Sequence, residues 1–356
     1  MPVKKILLLT FILFLSSGCS SAGVFNNDIK LVPKETVGGS PKEFSLPEAK
    51  SVKILHFGDI MLDRNVKKRI DENGEDYLLS GLAGENNQFF SGYDIITANL
   101  EGPFADRRRQ TSKEIAFRFD PALIPMLQKY NFNLFTLANN HSLDMSREGF
   151  AESKENLKNA GIDFYGIGYG VSDESMIIKE VNGISVAFIG VDDTLTPINM
   201  VKMKELLAKA GKEADYTIVD AHWGNEYAKL KSNQRQQSLA RQFIDNGADI
   251  IIGHHPHVIQ EIEIYQDRPI FYSLGNFIFD QYFSAETQEG LGVALEIAED
   301  GKLKIELFLL KGEMSRVSVM KGEEAETLME EIIFASRLGD YKFSNLFLEL
   351  NAADTK

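Results

Sequence analysis

The chain has 356 residues, 44% of them hydrophobic, with 38 Lys+Arg against 52 Asp+Glu and a formal net charge of −14. That composition excludes a disordered, collagen-like or repeat-dominated chain and leaves room for either about two domains or one large α/β domain. The acidic balance excludes general nucleic-acid binding, which needs a cationic face to displace phosphate counterions.

The N-terminus begins with Lys4 and Lys5, followed by an apolar run from Ile6 to Leu15 that only Thr10 interrupts. The run is too short for a membrane-spanning helix, which needs about 20 residues, and fits the apolar core of a secretory signal. Ser16, Ser17 and Gly18 then precede Cys19, the single cysteine of the chain. Small residues before a lone cysteine resemble a bacterial lipoprotein box, which implies lipidation of Cys19. Residues 1–19 are therefore expected to be a lipoprotein signal peptide. The mature protein is expected in the cell envelope, lipid-anchored at the outer face of a bacterial membrane, cytoplasmic or outer. Residues 20–50 are rich in Ser, Asn, Gly, Pro and Lys without an apolar period, and are expected to form a flexible tether.

From Ser51 short apolar runs recur: Val52 to Phe57, Tyr93 to Ala98, Leu134 to Ala138, Val186 to Val191, Tyr216 to Val219 and Ile250 to Ile252. Between them, Pro121 to Tyr130, Arg147 to Ala160, Val201 to Ala210 and Ser232 to Asn246 carry apolar residues at helical spacing. This alternation predicts an α/β architecture with buried sheets. The chain then becomes strand-rich over Ile270 to Phe279, Gly292 to Ile297 and Leu303 to Leu310. Its last periodic segment, Glu323 to Leu338, predicts a helix. Residues 51–311 are read as the functional domain and 312–356 as a C-terminal helical extension.

Five of these apolar runs lead into residues with coordinating side chains. Asp59 follows the first, Asn99 and Glu101 the second, and Asn139-Asn140-His141 the third. The run at Tyr216 continues through Asp220 to His222-Trp223-Gly224, and the one at Ile250 ends in Gly253-His254-His255-Pro256-His257. In open α/β sheets, loops beyond the carboxyl ends of the strands converge on one crevice, where ligands bind. Five of the six histidines lie in these segments, and the sixth, His56, lies just ahead of Asp59. Mixed imidazole, carboxylate and amide donors suit zinc, manganese or iron, and thiolate donors are absent. The spacing predicts His255 and His257 on one side, with His254 in a structural or supporting place. Two ions about 3.5–4 Å apart would clamp an oxyanion and generate a nucleophile near neutral pH.

Six ordered motifs carry a family resemblance: Gly58-Asp59-Ile60-Met61, Asn99-Leu100-Glu101-Gly102-Pro103, Ala138-Asn139-Asn140-His141, His222 to Tyr227, Gly253 to Val258, and Tyr272 to Phe277. Together they resemble the CapA-like, or PgsA-like, poly-γ-glutamate capsule synthesis family. That family is similar to the calcineurin-like metallophosphoesterases, which implies a four-layer α/β/β/α sandwich of two mixed sheets with a dimetal centre at the strand ends. The resemblance implies Asp59, Glu101, Asn140, His222, His255 and His257 as metal ligands, with His141 as the group that protonates the leaving oxygen. Two departures stand out: Met61 occupies the place of a ligand histidine, and Leu100-Glu101 replaces glycine-aspartate. Supporting or substrate-contacting places are expected for Asn99, Trp223, Glu226, His254 and Asn276. Glu226 and Tyr227 are expected to orient His222, while Trp223 is either a floor to the site or core filling. Arg107, in the Arg107 to Arg109 run, is either a solvated charge or a contact to an anionic polymer.

The leading expectation is a surface-anchored capsule synthesis protein with two divalent ions. It would act in hydrolysis or transfer on an anionic envelope polymer or its precursor, in company with a membrane synthase. The alternatives are a non-catalytic polymer-binding accessory of that synthase and a general envelope metallophosphoesterase.

Overall fold

The computed structural model describes residues 50–344 and 346–351. The expected signal segment 1–19 with Cys19, and the expected tether up to residue 49, lie outside the described residues. Fifteen strands are present among those described: β1 (Ser51–Ile60), β2 (Ile95–Leu100), β3 (Leu134–Thr136), β4 (Asp163–Tyr165), β5 (Met176–Val181), β6 (Ile184–Asp192), β7 (Tyr216–His222), β8 (Ile250–His254), β9 (Ile262–Tyr265), β10 (Arg268–Phe271), β11 (Asn276–Ile278), β12 (Glu289–Ala298), β13 (Lys302–Glu313), β14 (Arg316–Val319) and β15 (Phe347–Asn351). The helices are α1 (Arg64–Asn73), α2 (Ser80–Ala83), α3 (Ile124–Lys129), α4 (Ser146–Asn159), α5 (Met200–Glu213), α6 (Gln234–Asp245) and α7 (Glu323–Ala335).

The first sheet runs β14-β13-β12-β1-β2-β3-β4, with β11 added to β1 and β15 to β13. The second runs β5-β6-β7-β8-β10-β9. Both are mixed. β1 to β4 pair in parallel, while β12 joins β1 antiparallel. In the second sheet β6, β7, β8 and β10 are parallel, with antiparallel partners at the edges. Three apolar cores separate the layers. Leu55, Phe57, Ile96 and Phe135 on one face of the first sheet pack under α1, α3 and α4 through Val66, Leu127 and Leu157. Ala187, Val219 and Ile251 on the far face of the second sheet pack under α5 and α6 through Leu207 and Phe243. The inward faces meet through Val52, Ile54, Ile95, Ile218 and Ile252. This is the expected four-layer α/β/β/α sandwich, and it follows from strands that bury alternate residues on opposite faces.

One irregularity positions the chemistry. Phe57 pairs with Ala98 but Asp59 pairs with Asn99, so Gly58 is an extra residue in β1, a bulge. Without it, Asp59 would share the outward face of Phe57; with it, Asp59 joins His56 on the inward face. Gly58 is also required by space, because a Cβ there would lie 1.9 Å from the Gly275 carbonyl oxygen.

The strand-rich stretch over Ile270 to Phe279 holds two strands, β10 and β11, with the left-handed Gly275 (φ 69°) between them. The segment after 312 is not purely helical. It contributes α7, but also the end of β13, the edge strand β14, and β15, which pairs along β13 from Lys302 to Glu306. The alternating Phe347-Leu348-Glu349-Leu350 pattern lets Leu348 and Leu350 enter the inter-sheet core, which is why this end forms a strand. Among the described residues no helix is long and apolar enough to cross a membrane.

Candidate metal centre

The inward faces change character along the strands. Toward their carboxyl ends the apolar residues give way to Asp59 and His56 on β1, Asn99 on β2, Asp220 and His222 on β7, and His254 on β8, all buried. Asp59 sits at the middle of this crevice. Asn99 Nδ2 donates to Asp59 Oδ1 at 2.8 Å and the His255 backbone N–H to Oδ2 at 3.2 Å. His257 Nδ1 lies 3.3 Å from Oδ2 and His254 Nδ1 3.5 Å from Oδ1. Burial acts to raise the Asp59 pKa, but the His254 and His257 imidazoles outweigh it and hold the carboxyl well below its ordinary value.

Glu101 has the opposite character. It is fully buried, and neither side-chain oxygen has a hydrogen-bond partner. Its Oε1 is 3.8 Å from His257 Nε2 and 3.9 Å from His141 Nε2. Burial first, then the Asp59 charge, push its pKa well above the ordinary value. A buried carboxylate without donors costs free energy unless a cation joins it.

His222 is held from two sides, with Nδ1 3.2 Å from Asn99 Nδ2 and Nε2 3.1 Å from Asn140 Oδ1. Burial, then the neighbouring His255, push its pKa well below the ordinary value, and burial takes His255 down to about 4. Both rings are thus kept neutral, the state a metal ligand requires. His255 and His257 do lie on one side, with ring centroids 5.8 Å apart, but through left-handed backbone (φ 94° and 58°) rather than an extended turn. His257 Nδ1 also lies 3.0 Å from Asn276 Oδ1, which places Asn276 in a supporting position. Asp59, Glu101 and His222 each offer a ligand atom within 4.8 Å of one another, as do Glu226, His255 and His257. Two carboxylates, an amide oxygen and neutral imidazoles fit a divalent cation with nitrogen and oxygen donors.

His141 faces the same space. Its Nδ1 is 2.6 Å from Asp144 Oδ2, and Asp144 is itself fixed by the Phe117 N–H at 2.7 Å and by Lys113 Nζ at 2.7 Å. The carboxylate accepts the Nδ1 proton and leaves Nε2 toward Glu101. Burial lowers the His141 pKa, with Asp144 opposing that shift. Asp144 was missed in the sequence, although its place three residues after His141 on one tight turn was a readable signal.

Other expected residues fall elsewhere. Trp223 is core filling: it faces outward, opposite to His222, stacks on Phe243 and Tyr272, and donates Nε1 to the Tyr272 carbonyl at 2.9 Å. Glu226 and Tyr227 approach His257 rather than His222. The left-handed Gly224 and Tyr227 turn the loop back, and the Tyr227 N–H bonds the Pro256 carbonyl at 2.8 Å. Orientation of His222 falls to Asn99 and Asn140 instead. Arg107 is exposed and makes none of the crevice hydrogen bonds among the described residues, whereas Arg108 and Arg109 pair with Asp63 and Glu152. Met61 is buried in the outer core, and its sulfur accepts the Asp63 N–H at 3.0 Å. Arg64, which belongs to no sequence motif, pairs with Asp280 and lies 4.8 Å over the Phe117 ring, which packs tilted against His141.

The family described as bacterial capsule synthesis protein PGA_cap matches residues 53–281, a span that holds every residue of the crevice described above. The chain belongs to the bacterial capsule synthesis family. Within the family it is 33% identical over 267 residues to PGA biosynthesis protein CapA of Bacillus subtilis (strain 168), covering 70% of this chain and 69% of that protein. It is 32% identical over 267 residues to capsule biosynthesis protein CapA of Bacillus anthracis, covering 68% of this chain and 63% of that one. The match thus spans just under two thirds of the second relative. Among solved structures, a phosphatase from Mycoplasma pneumoniae superposes with a TM-score of 0.43 at 14% identity, over 77% of this chain and 92% of its own.

Proposed function

We propose that this capsule synthesis protein carries a divalent-metal centre and uses it for hydrolysis or group transfer on an anionic envelope polymer of the poly-γ-glutamate type, or on its precursor. The observation that carries the proposal is Glu101, a fully buried carboxylate whose two oxygens find no donor while imidazoles from two other strand ends stand within 4 Å. Asp59, Glu101, Asn140, His222, His255 and His257 would hold one or two ions, with manganese, zinc or iron suited to the donors. When bound, a divalent ion supplies electrophilic polarisation of the scissile group. The chain's own part is to orient and to move a proton. Asn99 and Asn276 hold Asp59, His222 and His257 in place. Asp144 fixes His141 with Nε2 toward the crevice, so that the imidazolium form can pass its Nε2 proton to the leaving atom and return to the neutral ring, a step that contributes about 10²–10⁴-fold. Lipidation at Cys19 would tether the protein at the outer face of the membrane, beside a synthase that makes the polymer.

Two of the relatives are named for PGA or capsule biosynthesis, which supports the substrate class. The test is metal analysis of the purified full-length chain beside a His255→Ala/His257→Ala variant. Bound metal in the first and its loss in the second is expected; equally metal-free proteins under metal-replete conditions would remove the centre. Met61 favours a second reading, a non-catalytic polymer-binding accessory, because its sulfur is committed to Asp63 in the outer core and supplies no ligand. The His141→Gln variant separates the two. Polymer output should collapse in it with metal content unchanged, and full output would establish the accessory role.

A further inference from the structure

The layer between the sheets holds a second polar cluster, beneath the proposed centre and outside the steps above. His56 on β1, Asp220 on β7, His254 on β8 and Tyr165 on β4 are each 1% exposed or less. His56 Nε2 lies 2.6 Å and His254 Nε2 3.0 Å from the same oxygen, Asp220 Oδ1. The Tyr165 hydroxyl donates to the other oxygen, Oδ2, at 2.6 Å. The second nitrogen of His254, Nδ1, then faces Asp59 Oδ1 at 3.5 Å. The contacts therefore run from Tyr165 in the first sheet to Asp220 and His254 in the second, and back to Asp59 in the first.

Three of these side chains could themselves be taken for a cation site. The 2.6 Å contact between His56 and Asp220 argues against that, since it is a hydrogen-bond length and shorter than the spacing of two donors that each stand about 2.0–2.1 Å from one ion. A role in joining the sheets does not account for the cluster either. Apolar residues of similar volume, such as the neighbouring Ile54, Ile218 and Ile252 on the same faces, join sheets as well or better than a buried charged network. What an apolar filling cannot do is aim an imidazole at a carboxylate.

We propose that Asp220, with His56 and Tyr165, forms a positioning network that fixes the His254 ring and, through it, the Asp59 carboxylate for metal binding. This rests on the reading of Asp59 as a ligand. Outer partners of ligating groups typically change metal affinity by about 10–100-fold. Asp220 is the residue on which the network depends, because both histidines and the tyrosine converge on its carboxylate.

The experiment is calorimetric titration of Mn²⁺ into the metal-stripped full chain, for the wild type, Asp220→Asn and Tyr165→Phe, with melting curves of the metal-free forms. Asp220→Asn should weaken Mn²⁺ binding by about 10–100-fold at unchanged stoichiometry. Tyr165→Phe deletes one hydroxyl, should weaken binding less and in the same direction, and carries the test if Asp220→Asn does not fold. Variants that melt earlier yet bind Mn²⁺ as tightly as the wild type would reduce the network to a structural role and overturn the proposal. Loss of one equivalent of Mn²⁺ at unchanged affinity would make the cluster a cation site in its own right, which also overturns it. A wild type that takes up no Mn²⁺ would remove the metal centre together with this inference, whereas unaffected variants of a binding wild type would remove this inference alone.

Discussion

The layer between the two sheets has two ends built by the same strands, and they do opposite things. At the amino ends of the parallel strands it is filled by Val52, Ile54, Ile95, Ile218 and Ile250, with Ile297 paired against Val52. Two to five residues further along the same strands, the inward positions are His56, Asp59, Asn99, Asp220, His222 and His254. Both ends are buried, but the side chains differ, and the polar end alone carries the Gly58 bulge. The apolar end gains free energy from each group removed from water, at roughly 25 cal/mol per Å². The polar end loses free energy wherever a polar group is buried short of partners, as at Glu101. The crevice can therefore be kept in a strained electrostatic state because the other half of the same layer supplies the stability. Residues that matter for binding and residues that matter for folding should separate along the strand axis.

A substitution at the apolar end gives the largest expected effect. Ile297 is fully buried and lies far along β12 from the crevice, opposite Val52. Ile297→Ala should cost about 2–5 kcal/mol of stability, the usual range for emptying such a site. Mn²⁺ affinity of the folded fraction should stay at the wild-type value. Denaturant unfolding with and without Mn²⁺ measures both quantities, and a parallel fall in affinity would mean that the two ends do not act separately.

Most of this division was readable in the sequence, because period-2 strands announce which positions share a face. The runs at Val52, Leu134, Tyr216 and Ile250 all became strands ending in the crevice. What was not readable depends on contacts between distant strands. His56 sits inside an apolar run, and only the pairing of the two sheets brings it to Asp220, 164 residues away. The inward turn of Asp59 depends on a bulge that a single glycine permits but does not announce. Helix α1 was missed because RNVKKRIDEN is polar on most of its surface, with Val66 and Ile70 alone buried. Arg64 was missed with it, and its partner Asp280 is 216 residues on. β4 and β9 are three and four residues long, too short to show a period.

The smallest expected effect lies at the polar end, where Asp192 closes β6 in register with His222. Its Oδ1 accepts the Thr194 N–H at 2.9 Å and the Thr194 hydroxyl at 2.6 Å, while Oδ2 is buried without a partner. Burial, only partly opposed by the Thr194 hydrogen bonds, raises the carboxyl above its ordinary value of 3.8. A carboxyl with a raised folded pKa contributes its full stability below the unfolded value and loses it as pH rises through the folded one. In the metal-free protein, Asp192 should therefore subtract stability as pH climbs upward from 3.8. Asp192→Asn keeps the Thr194 contacts and cannot ionise, so its stability relative to the wild type should increase over that rise. The slope carries the sign, because the new amide changes the intercept through its own hydrogen bonding. Paired urea titrations at pH 4, 5, 6 and 7, about one unit apart so that each step spans a tenfold change in ionisation, read the slope directly. Parallel curves would show that Asp192 ionises as freely in the fold as in the unfolded chain, and that the polar end of the layer is better solvated than its burial implies.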